Sequence, residues 1–164
     1  MAYSTIDKST DHFNNILWTG NGSARSITGV RFQPDWVWIK DRSNSRWHQI
    51  YDSIRGAGKV IYSNSDTGEG DDINRLSGFI SDGFSLGTNN NVNDNSQNYV
   101  AWNWKAGGTG STNYDGSITS TVSANTTAGF SIVKYTGTGA NATIGHGLGK
   151  KPEMIIVKAY QGSQ

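Results

Sequence analysis

A short acidic run offers the first set of side chains suited to a chemical task. Asp66, Glu69, Asp71 and Asp72 place four carboxylates within one polar segment. Because Ca²⁺ takes about six to eight oxygen ligands, this run is a candidate calcium site. Its spacing differs from that of an EF-hand loop, and a solvated acidic loop is the plainer interpretation. Apart from calcium, the sequence predicts no cofactor.

A second set of side chains suits the binding of a sugar. Arg46, Trp47 and His48 follow one another, and Tyr51 lies close behind them. An aromatic ring packs against the face of a pyranose, while neighbouring polar groups bond to its hydroxyls. The competing interpretation is a strand over residues 47–52 with Trp47 in the core. The core interpretation is favoured, because large aromatic side chains are usually buried.

Residues 88–98 form a loop rich in asparagine. Asn89, Asn90, Asn91 and Asn93 are candidate ligand-binding residues, since a side-chain amide both donates and accepts hydrogen bonds and can bond to a glycan. Asparagine is equally typical of loops without a ligand, because it tolerates left-handed backbone and forms Asx turns. The sequence favours neither interpretation over the other.

No motif of a known catalytic type accompanies these candidates. The chain lacks the H-E-x-x-H and P-loop patterns. Its one G-x-S-x-G match, at residues 83–87, lies in a predicted strand and not at the strand-to-helix turn that exposes a catalytic serine. His146 stands between glycines with no Ser or Cys nucleophile motif beside it, so we interpret it as a turn residue. Paired carboxylates for glycoside hydrolysis need proximity in space and not in sequence, which keeps a polysaccharide-depolymerising enzyme as an alternative. The main prediction is that the protein is not an enzyme.

Composition indicates the architecture that positions these side chains. Charged residues make up 16% of the 164-residue chain and the net charge is +1, which predicts neither a nucleic-acid partner nor a basic face for lipid. There is no cysteine, and no stretch has the roughly 20 apolar residues of a membrane span. Short aromatic and β-branched runs alternate with turn residues. The sequence therefore predicts an all-β fold, an antiparallel β-sandwich of the jelly-roll or concanavalin-like type.

Two strands of this sandwich are distinctive in sequence. Residues 36–39 form an apolar run led by Pro34, which predicts a strand covered on both faces. Residues 99–105 alternate between two faces, as a strand requires. We expect the face that carries Trp102 and Trp104 to lie in the core.

The pattern of the Pro-led strand returns near the end of the chain. Trp18-Thr-Gly-Asn-Gly22 matches Tyr135-Thr-Gly-Thr-Gly139 at an offset of 117 (135 − 18). Pro34-Asp35 matches Pro152-Glu153 at an offset of 118 (152 − 34), which requires one inserted residue near Lys150. This pattern predicts a second strand of the same kind at residues 154–157. We therefore divide the chain into a β-sandwich domain with an N-terminal arm (1–106), a Gly/Ser/Thr-rich linker (107–128) and the start of a second β repeat (129–164).

Several motifs follow one another in order along the chain. They read F-x-P-D-x-V-W-I-K-x-R at 32–42, Y-D-x-x-R-G at 51–56, S-D-G-F-S-L-G at 81–87 and N-Y-V-A-W-N-W-K-A-G at 98–107. The second repeat adds G-F-S-I-V-x-Y-T-G-x-G and then G-H-G-L-G-x-x-P-x-M-I-I-V-K. Together they resemble repeats in tail-fibre and tail-associated proteins of marine bacteriophages. The members of the family that the chain resembles look like concanavalin- or laminin-G-like β-sandwiches.

The resemblance implies a structural or receptor-binding part of a virion and transfers no catalytic residue. As partners it implies other tail or virion proteins and a host-surface glycan, with a homo-oligomer such as a trimer. It implies neither nucleic acid nor membrane insertion. The expected location is the phage tail, with synthesis in the host cytoplasm, because the first residues contain no apolar segment of a signal peptide. A polysaccharide depolymerase and a free carbohydrate-binding module remain the alternatives.

Overall fold

The computed structural model describes residues 6–161, so the first five residues of the expected N-terminal arm and residues 162–164 lie outside the described part. Its strands are β1 (Phe13–Thr19), β2 (Arg25–Thr28), β3 (Trp36–Asp41), β4 (Gln49–Asp52), β5 (Lys59–Val60), β6 (Gly70–Asp71), β7 (Leu76–Ile80), β8 (Gly83–Leu86), β9 (Asn98–Trp104), β10 (Ser111–Asn113), β11 (Ser120–Asn125) and β12 (Phe130–Tyr135). A 3₁₀ turn lies at Ser9–Asp11, and one short helix, α1, at Asn90–Asn93. Over residues 6–161, no helix has the length and apolar character needed to cross a membrane.

Two antiparallel sheets form the sandwich. The first contains four strands in the order β1-β9-β3-β4, and the second contains three in the order β2-β8-β7. β5 and β6 form a separate two-stranded ladder. One hydrophobic cluster takes members from both large sheets, among them Val37, Ile39, Tyr51, Leu76, Phe84, Leu86 and Tyr99. These sheets confirm the predicted all-β antiparallel sandwich.

β3 is an interior strand of the first sheet. It pairs along Trp36–Asp41 with β9 and along Trp36–Ile39 with β4. Val37 and Ile39 are completely buried in the core, as the apolar run predicted. On the other face, Trp36 and Trp38 are half-buried beneath further aromatic side chains. The Pro-led run therefore forms the strand that the sequence indicated, with one dry face and one partly covered face.

The predicted core face of β9 is wrong. Tyr99, Ala101 and Asn103 are fully buried, whereas Trp102 and Trp104 are half-buried on the outer face. Alternation with a period of two separates the faces of a strand but does not say which one lies inside. Tyr99 tolerates burial because its hydroxyl accepts one backbone hydrogen bond and donates another.

The segment predicted to be a linker, residues 107–128, instead contributes two strands. β10, β11 and β12 form a three-stranded antiparallel sheet, in which Val122 lies opposite Val133. Val122 and Ile132 are buried. Serine and threonine indicate a linker by composition, but threonine is β-branched and fits a half-buried strand. β12 is the strand that the sequence did predict at the start of the second repeat.

This third sheet packs against the first sheet of the sandwich. The ring of Phe130 stacks on Trp104 with centroids 6.0 Å apart and stands edge-on to Trp36 at 6.4 Å. The backbone N–H of Gly107 donates to Ser123 Oγ over 2.9 Å. The outer faces of Trp36 and Trp104 are therefore covered by a strand that follows them in sequence.

The strand predicted at residues 154–157 does not form. Met154, Ile155, Ile156 and Val157 have no ladder partner among the described residues, and all four side chains are exposed. In the first repeat, the corresponding strand is β3, which β9 and β4 hold from both sides. The described residues beyond 129 contain no counterpart of either neighbour. A strand needs such neighbours to satisfy its backbone groups.

Candidate functional site

The described part of the chain contains a polar cleft of about 310 Å³ beside the end of α1. It lies where the loop before β4, the residue before β7 and helix α1 meet. Its lining combines hydrogen-bonding side chains with two aromatic rings: Ser45, Arg46, Trp47, Gln49, Tyr62, Arg75 and Asn91. We call this feature the Trp47 cleft. It brings together three of the residues that the sequence singled out, namely Arg46, Trp47 and Asn91.

Trp47 lies at the surface of the cleft and not in the core. Its side chain is 47% exposed, and its indole stands edge-on to Tyr62 with ring centroids 5.1 Å apart. The favoured core interpretation of Trp47 is therefore wrong. The reason is that β4 begins only at Gln49, so Trp47 belongs to the preceding loop. Nearly half of the surface of this aromatic residue is therefore available to solvent.

Gln49 occupies the floor of the cleft and is only 1% exposed. Its Oε1 accepts hydrogen bonds from the Tyr51 hydroxyl over 2.7 Å and from Arg75 Nη1 over 3.0 Å. Burial raises the pKa of Tyr51 well above its ordinary value, so Tyr51 stays a protonated donor. A polar side chain fits this buried position because both donors satisfy it.

Arg75 is fixed by several partners at once. Its Nη1 donates to the Tyr62 hydroxyl over 2.9 Å, its Nε lies 3.4 Å from Asp72 Oδ2, and its guanidinium sits over the Tyr62 ring. Burial acts to lower the pKa of Arg75, but Tyr62, Tyr51 and Asp72 outweigh it and raise that pKa. The cleft therefore holds a permanently charged donor in a single orientation.

Asp72 links the acidic segment to the asparagine loop. Its carboxylate accepts from Asn89 Nδ2 over 2.7 Å and from the backbone N–H of Asn74 over 2.9 Å. Burial works to raise the pKa of Asp72, but these hydrogen bonds and Arg75 hold it below its ordinary value. Asp72 is therefore a structural acceptor beside the cleft.

The four carboxylates of the candidate calcium site are not brought together. Glu69 pairs with Arg55 over 3.0 Å, Asp71 pairs with Lys59, and Asp72 pairs with Arg75, while Asp66 lies at the exposed tip of the loop. Across residues 6–161, no three His, Cys, Asp or Glu side chains form a group that could hold a metal ion. Glu69, Asp71 and Asp72 each pair with a different basic residue, so their carboxylates do not converge on one ion.

Arg46 fastens the loop that carries Trp47. Its Nε lies 3.1 Å from the buried carboxylate of Asp41, and its Nη2 lies 2.9 Å from Asp94, just beyond α1. Lys40 Nζ donates to three carbonyl groups of the same loop, including that of Arg46. These bonds hold the loop in place before any ligand arrives.

His48 does not line the cleft. Its Nδ1 accepts from Trp38 Nε1 over 2.9 Å, and its backbone N–H donates to Asn64 Oδ1 over 3.0 Å. Burial, with a smaller contribution from Lys40, lowers the pKa of His48. The neutral ring therefore serves as an acceptor that orients Trp38 on the outer face of β3.

The four candidate asparagines have different roles. Asn89 caps α1 by accepting from the backbone N–H of Asn91 over 2.8 Å, and only Asn91 among the four lines the cleft. Asn93 is fully buried and donates to the carbonyl groups of two neighbouring loops. Asn90 is exposed, and its carbonyl accepts from the hydroxyl of Tyr99. Loop geometry therefore explains three of the four, and Asn91 remains a candidate ligand residue.

Sequence reasoning missed four residues of the cleft, namely Ser45, Gln49, Tyr62 and Arg75. They lie in three separate segments that meet only in the folded chain. One signal was available: Gln49 begins a strand whose other members are large and apolar or acidic, and a buried amide needs partners. Tyr62 and Arg75 carry no comparable local signal.

A second cavity of about 460 Å³ lies along the residues 143–151. Its lining contains four glycines together with Asp115, Thr143, Ile144, His146 and two lysines. His146 Nδ1 accepts from the backbone N–H of Leu148 over 3.2 Å, which agrees with its interpretation as a turn residue. This cavity lacks the exposed aromatic face and buried polar floor of the Trp47 cleft, so it is the weaker candidate.

Comparison with known proteins supplies a family without a function. No curated protein matches the chain, and no solved structure matches it. One family model, described as a domain of unknown function, matches residues 8–164. Since this match covers almost the whole length, the chain belongs to the DUF7483 family of domains of unknown function.

Proposed function

We propose that this protein is a β-sandwich module that binds a neutral saccharide in the Trp47 cleft, within a bacteriophage tail fibre or tail-associated protein. The observation that carries the proposal is the exposed indole of Trp47 beside a floor of fixed hydrogen-bonding groups. The apolar face of a pyranose packs on an indole, and its hydroxyls bond to amides and guanidinium groups. Trp47, Asn91 and Arg75 supply these three kinds of group.

The charges around the cleft favour a neutral ligand over an acidic one. Arg46 is paired with both Asp41 and Asp94, and Arg75 with Asp72. Each guanidinium already has a carboxylate partner, so the cleft presents donors without an excess of positive charge. An acidic polysaccharide would have to compete with these carboxylates for the same groups.

The cleft is also organised before binding. Lys40, Arg46 and Gln49 each make several hydrogen bonds that fix the cleft's loop and floor. A ligand that meets groups already held in place pays less conformational entropy on binding. The depolymerase alternative requires two facing carboxylates, and the described lining of this cleft contains none.

Replacement of the indole tests this site. We expect Trp47→Ala to weaken binding of a neutral saccharide by about tenfold or more, because the apolar platform is lost. Trp47→Tyr keeps a ring and should retain part of the affinity. Isothermal titration calorimetry, after a screen of neutral and acidic envelope glycans, measures the difference.

The matched control for this experiment is Tyr114→Ala. Tyr114 is 79% exposed and lies outside the Trp47 cleft, so its removal should leave the affinity unchanged. Equal affinity of Trp47→Ala and the parent protein would refute the platform. Selective binding of acidic glycans, abolished by salt, would refute the neutral ligand.

The tail-protein setting rests on the ordered motifs that resemble phage tail repeats. Mass spectrometry of purified particles is expected to find the protein among the structural components, and sedimentation is expected to show a homo-oligomer such as a trimer. Absence from the particles, together with a monomer that still binds glycan, would favour a free carbohydrate-binding module instead.

A further inference from the structure

Residues 154–157 form an exposed apolar segment that nothing in the described chain covers. Met154, Ile155, Ile156 and Val157 are 75%, 72%, 55% and 71% exposed. Four consecutive large apolar side chains at the surface are unusual and mark an interaction site more often than chance. What would cover them can be read from the first repeat.

The backbone shows that the second repeat follows the first beyond its sequence motifs. Gly22 and Gly139 both have left-handed φ values, 67° and 74°, at the offset of 117. Arg31 also has a left-handed φ, 78°, and it corresponds at the offset of 118 to Gly149, with 67°. A non-glycine residue adopts this conformation rarely, so its recurrence at the matching position is specific.

The same comparison places the inserted residue. Ile27 and Ile144 are related by 117 (144 − 27), whereas Gly29 and Gly147, both with left-handed φ, are related by 118 (147 − 29). The insertion therefore lies between Ile144 and Gly147, earlier than the position near Lys150 that the sequence alone suggested. From Gly147 onward the two copies run in register.

This register assigns a place to each exposed side chain. Ile155 and Val157 correspond to Val37 and Ile39, which are completely buried in β3. Glu153 corresponds to Asp35, whose Oδ2 accepts the N–H groups of Ala106 and Gly108, shortly after the end of β9. The segment thus carries both the core side chains and the acidic anchor of a β3-type strand.

The neighbouring strand of the second repeat is also incomplete. β12 corresponds to β1, since Phe130 matches Phe13 at the offset of 117 (130 − 13). In the first sheet, β9 lies between β1 and β3, whereas β12 pairs only with β11 among the described residues. One edge of β12 and the whole of residues 154–158 therefore lack the same partner.

We infer that residues 154–158 are an acceptor site for a strand of the β9 type from a repeat of this fold. The occupant is an extended segment with alternating small or aliphatic and aromatic side chains, followed by Ala-Gly-Gly. Its inward side chains pack on Ile155 and Val157, and its end is anchored by Glu153. The acceptor site lies outside the Trp47 cleft and does not depend on saccharide binding.

The test uses the whole protein and a fluorescent synthetic peptide with the sequence of residues 98–108. Fluorescence anisotropy should show saturable binding, and hydrogen exchange should show new protection at residues 154–158. A peptide of the same composition with residues 99–104 shuffled should bind at least about tenfold more weakly, because its alternation is lost.

Substitutions at the acceptor site complete the test. Ile155→Lys should weaken peptide binding by about tenfold or more, since this side chain becomes buried in the complex. Its exposure in the free protein means that the fold is unaffected, and Ile73→Lys, at a residue 56% exposed elsewhere, is the matched control. Equal binding of both peptides, an unchanged affinity of Ile155→Lys, or a dimer in which residues 154–157 of the two copies pack on each other would each overturn the inference.

Discussion

At the scale of single residues, Gln49 determines what the Trp47 cleft can do. It is a buried amide whose oxygen accepts from Tyr51 on the core side and from Arg75 on the cleft side. An apolar residue of similar size would leave the buried Tyr51 hydroxyl without an acceptor, which costs about 1–3 kcal/mol. It would also remove one of the acceptors that hold Arg75 in place. Gln49 thus links the stability of the core to the orientation of the guanidinium that lines the cleft.

The lowered pKa of His48 predicts how the stability of the fold depends on pH. Its folded pKa lies below its ordinary value of 6.5, because burial and then Lys40 disfavour the imidazolium. The unfolded chain therefore takes up the proton first as pH falls, and stability declines from about pH 6.5 down through the folded pKa. Above that range His48 contributes no pH dependence. Urea unfolding at about pH 7.5 and pH 5 should show the lower midpoint at the acid value.

His48→Gln separates this effect from other titrating groups. Glutamine offers Trp38 an acceptor but takes up no proton, so the difference between the two midpoints should shrink. Asp72, whose pKa is lowered, loses stabilising interactions only at pH values below its ordinary 3.8, outside the measured window. A midpoint difference that is the same in the parent and in His48→Gln would show that another group is responsible.

At the scale of elements, the third sheet depends on one aromatic contact with the sandwich. Phe130→Ala removes the ring that stacks on Trp104 and meets Trp36, at a cost of about 1–2 kcal/mol. We expect β11 and β12 to lose hydrogen-exchange protection, while β3 and β9 keep theirs. Phe130→Leu, which retains apolar bulk, should show a smaller loss. Equal loss of protection in all four strands would contradict separate docking of this sheet.

The sequence was informative about elements where apolar runs and turn residues alternate. It predicted β3 and β12 correctly, because Trp36–Asp41 and Phe130–Tyr135 are dense in β-branched and aromatic residues. It failed for β10 and β11, where Ser and Thr resemble a linker. It also inverted the faces of β9, because the third sheet partly covers Trp104 on the outer face, so that face has core-like aromatic residues as well. Such coverage results from tertiary packing and cannot be read from the alternation of residues along one strand.

The same limit applies to the candidate site. Arg46, Trp47 and Asn91 were predicted from residue type and all line the cleft, although Trp47 had been favoured for the core. Tyr62 and Arg75 were missed, because their role arises from bonds that Arg75 makes to Gln49 across 26 residues and to Tyr62 across 13 residues. The chemical type of each residue is visible in the local sequence, whereas contacts between distant segments appear only in the folded structure.

At the scale of the whole molecule, the two proposed sites lie in different parts of one packed chain. The cleft uses residues between 45 and 91, and the acceptor segment lies at 154–158. The chain beyond the acceptor segment returns to the sandwich, where the backbone N–H of Glu69 donates to the carbonyl of Tyr160 over 2.8 Å. Lys134 Nζ also lies over the Tyr160 ring. The acceptor segment is therefore held between two docked regions while its own side chains remain exposed.

This arrangement predicts that saccharide binding and strand binding are independent. Among the contacts described, no residue contacts both the cleft and the acceptor segment. The binding free energies of two sites without a shared partner are additive. Trp47→Ala should leave the affinity for the peptide of residues 98–108 unchanged, and Ile155→Lys should leave saccharide affinity unchanged. Titrating each ligand in the presence of a saturating concentration of the other measures the coupling directly. A change in either affinity of more than about threefold would show that the two sites are energetically linked and that the sandwich and the second repeat do not act as separate modules.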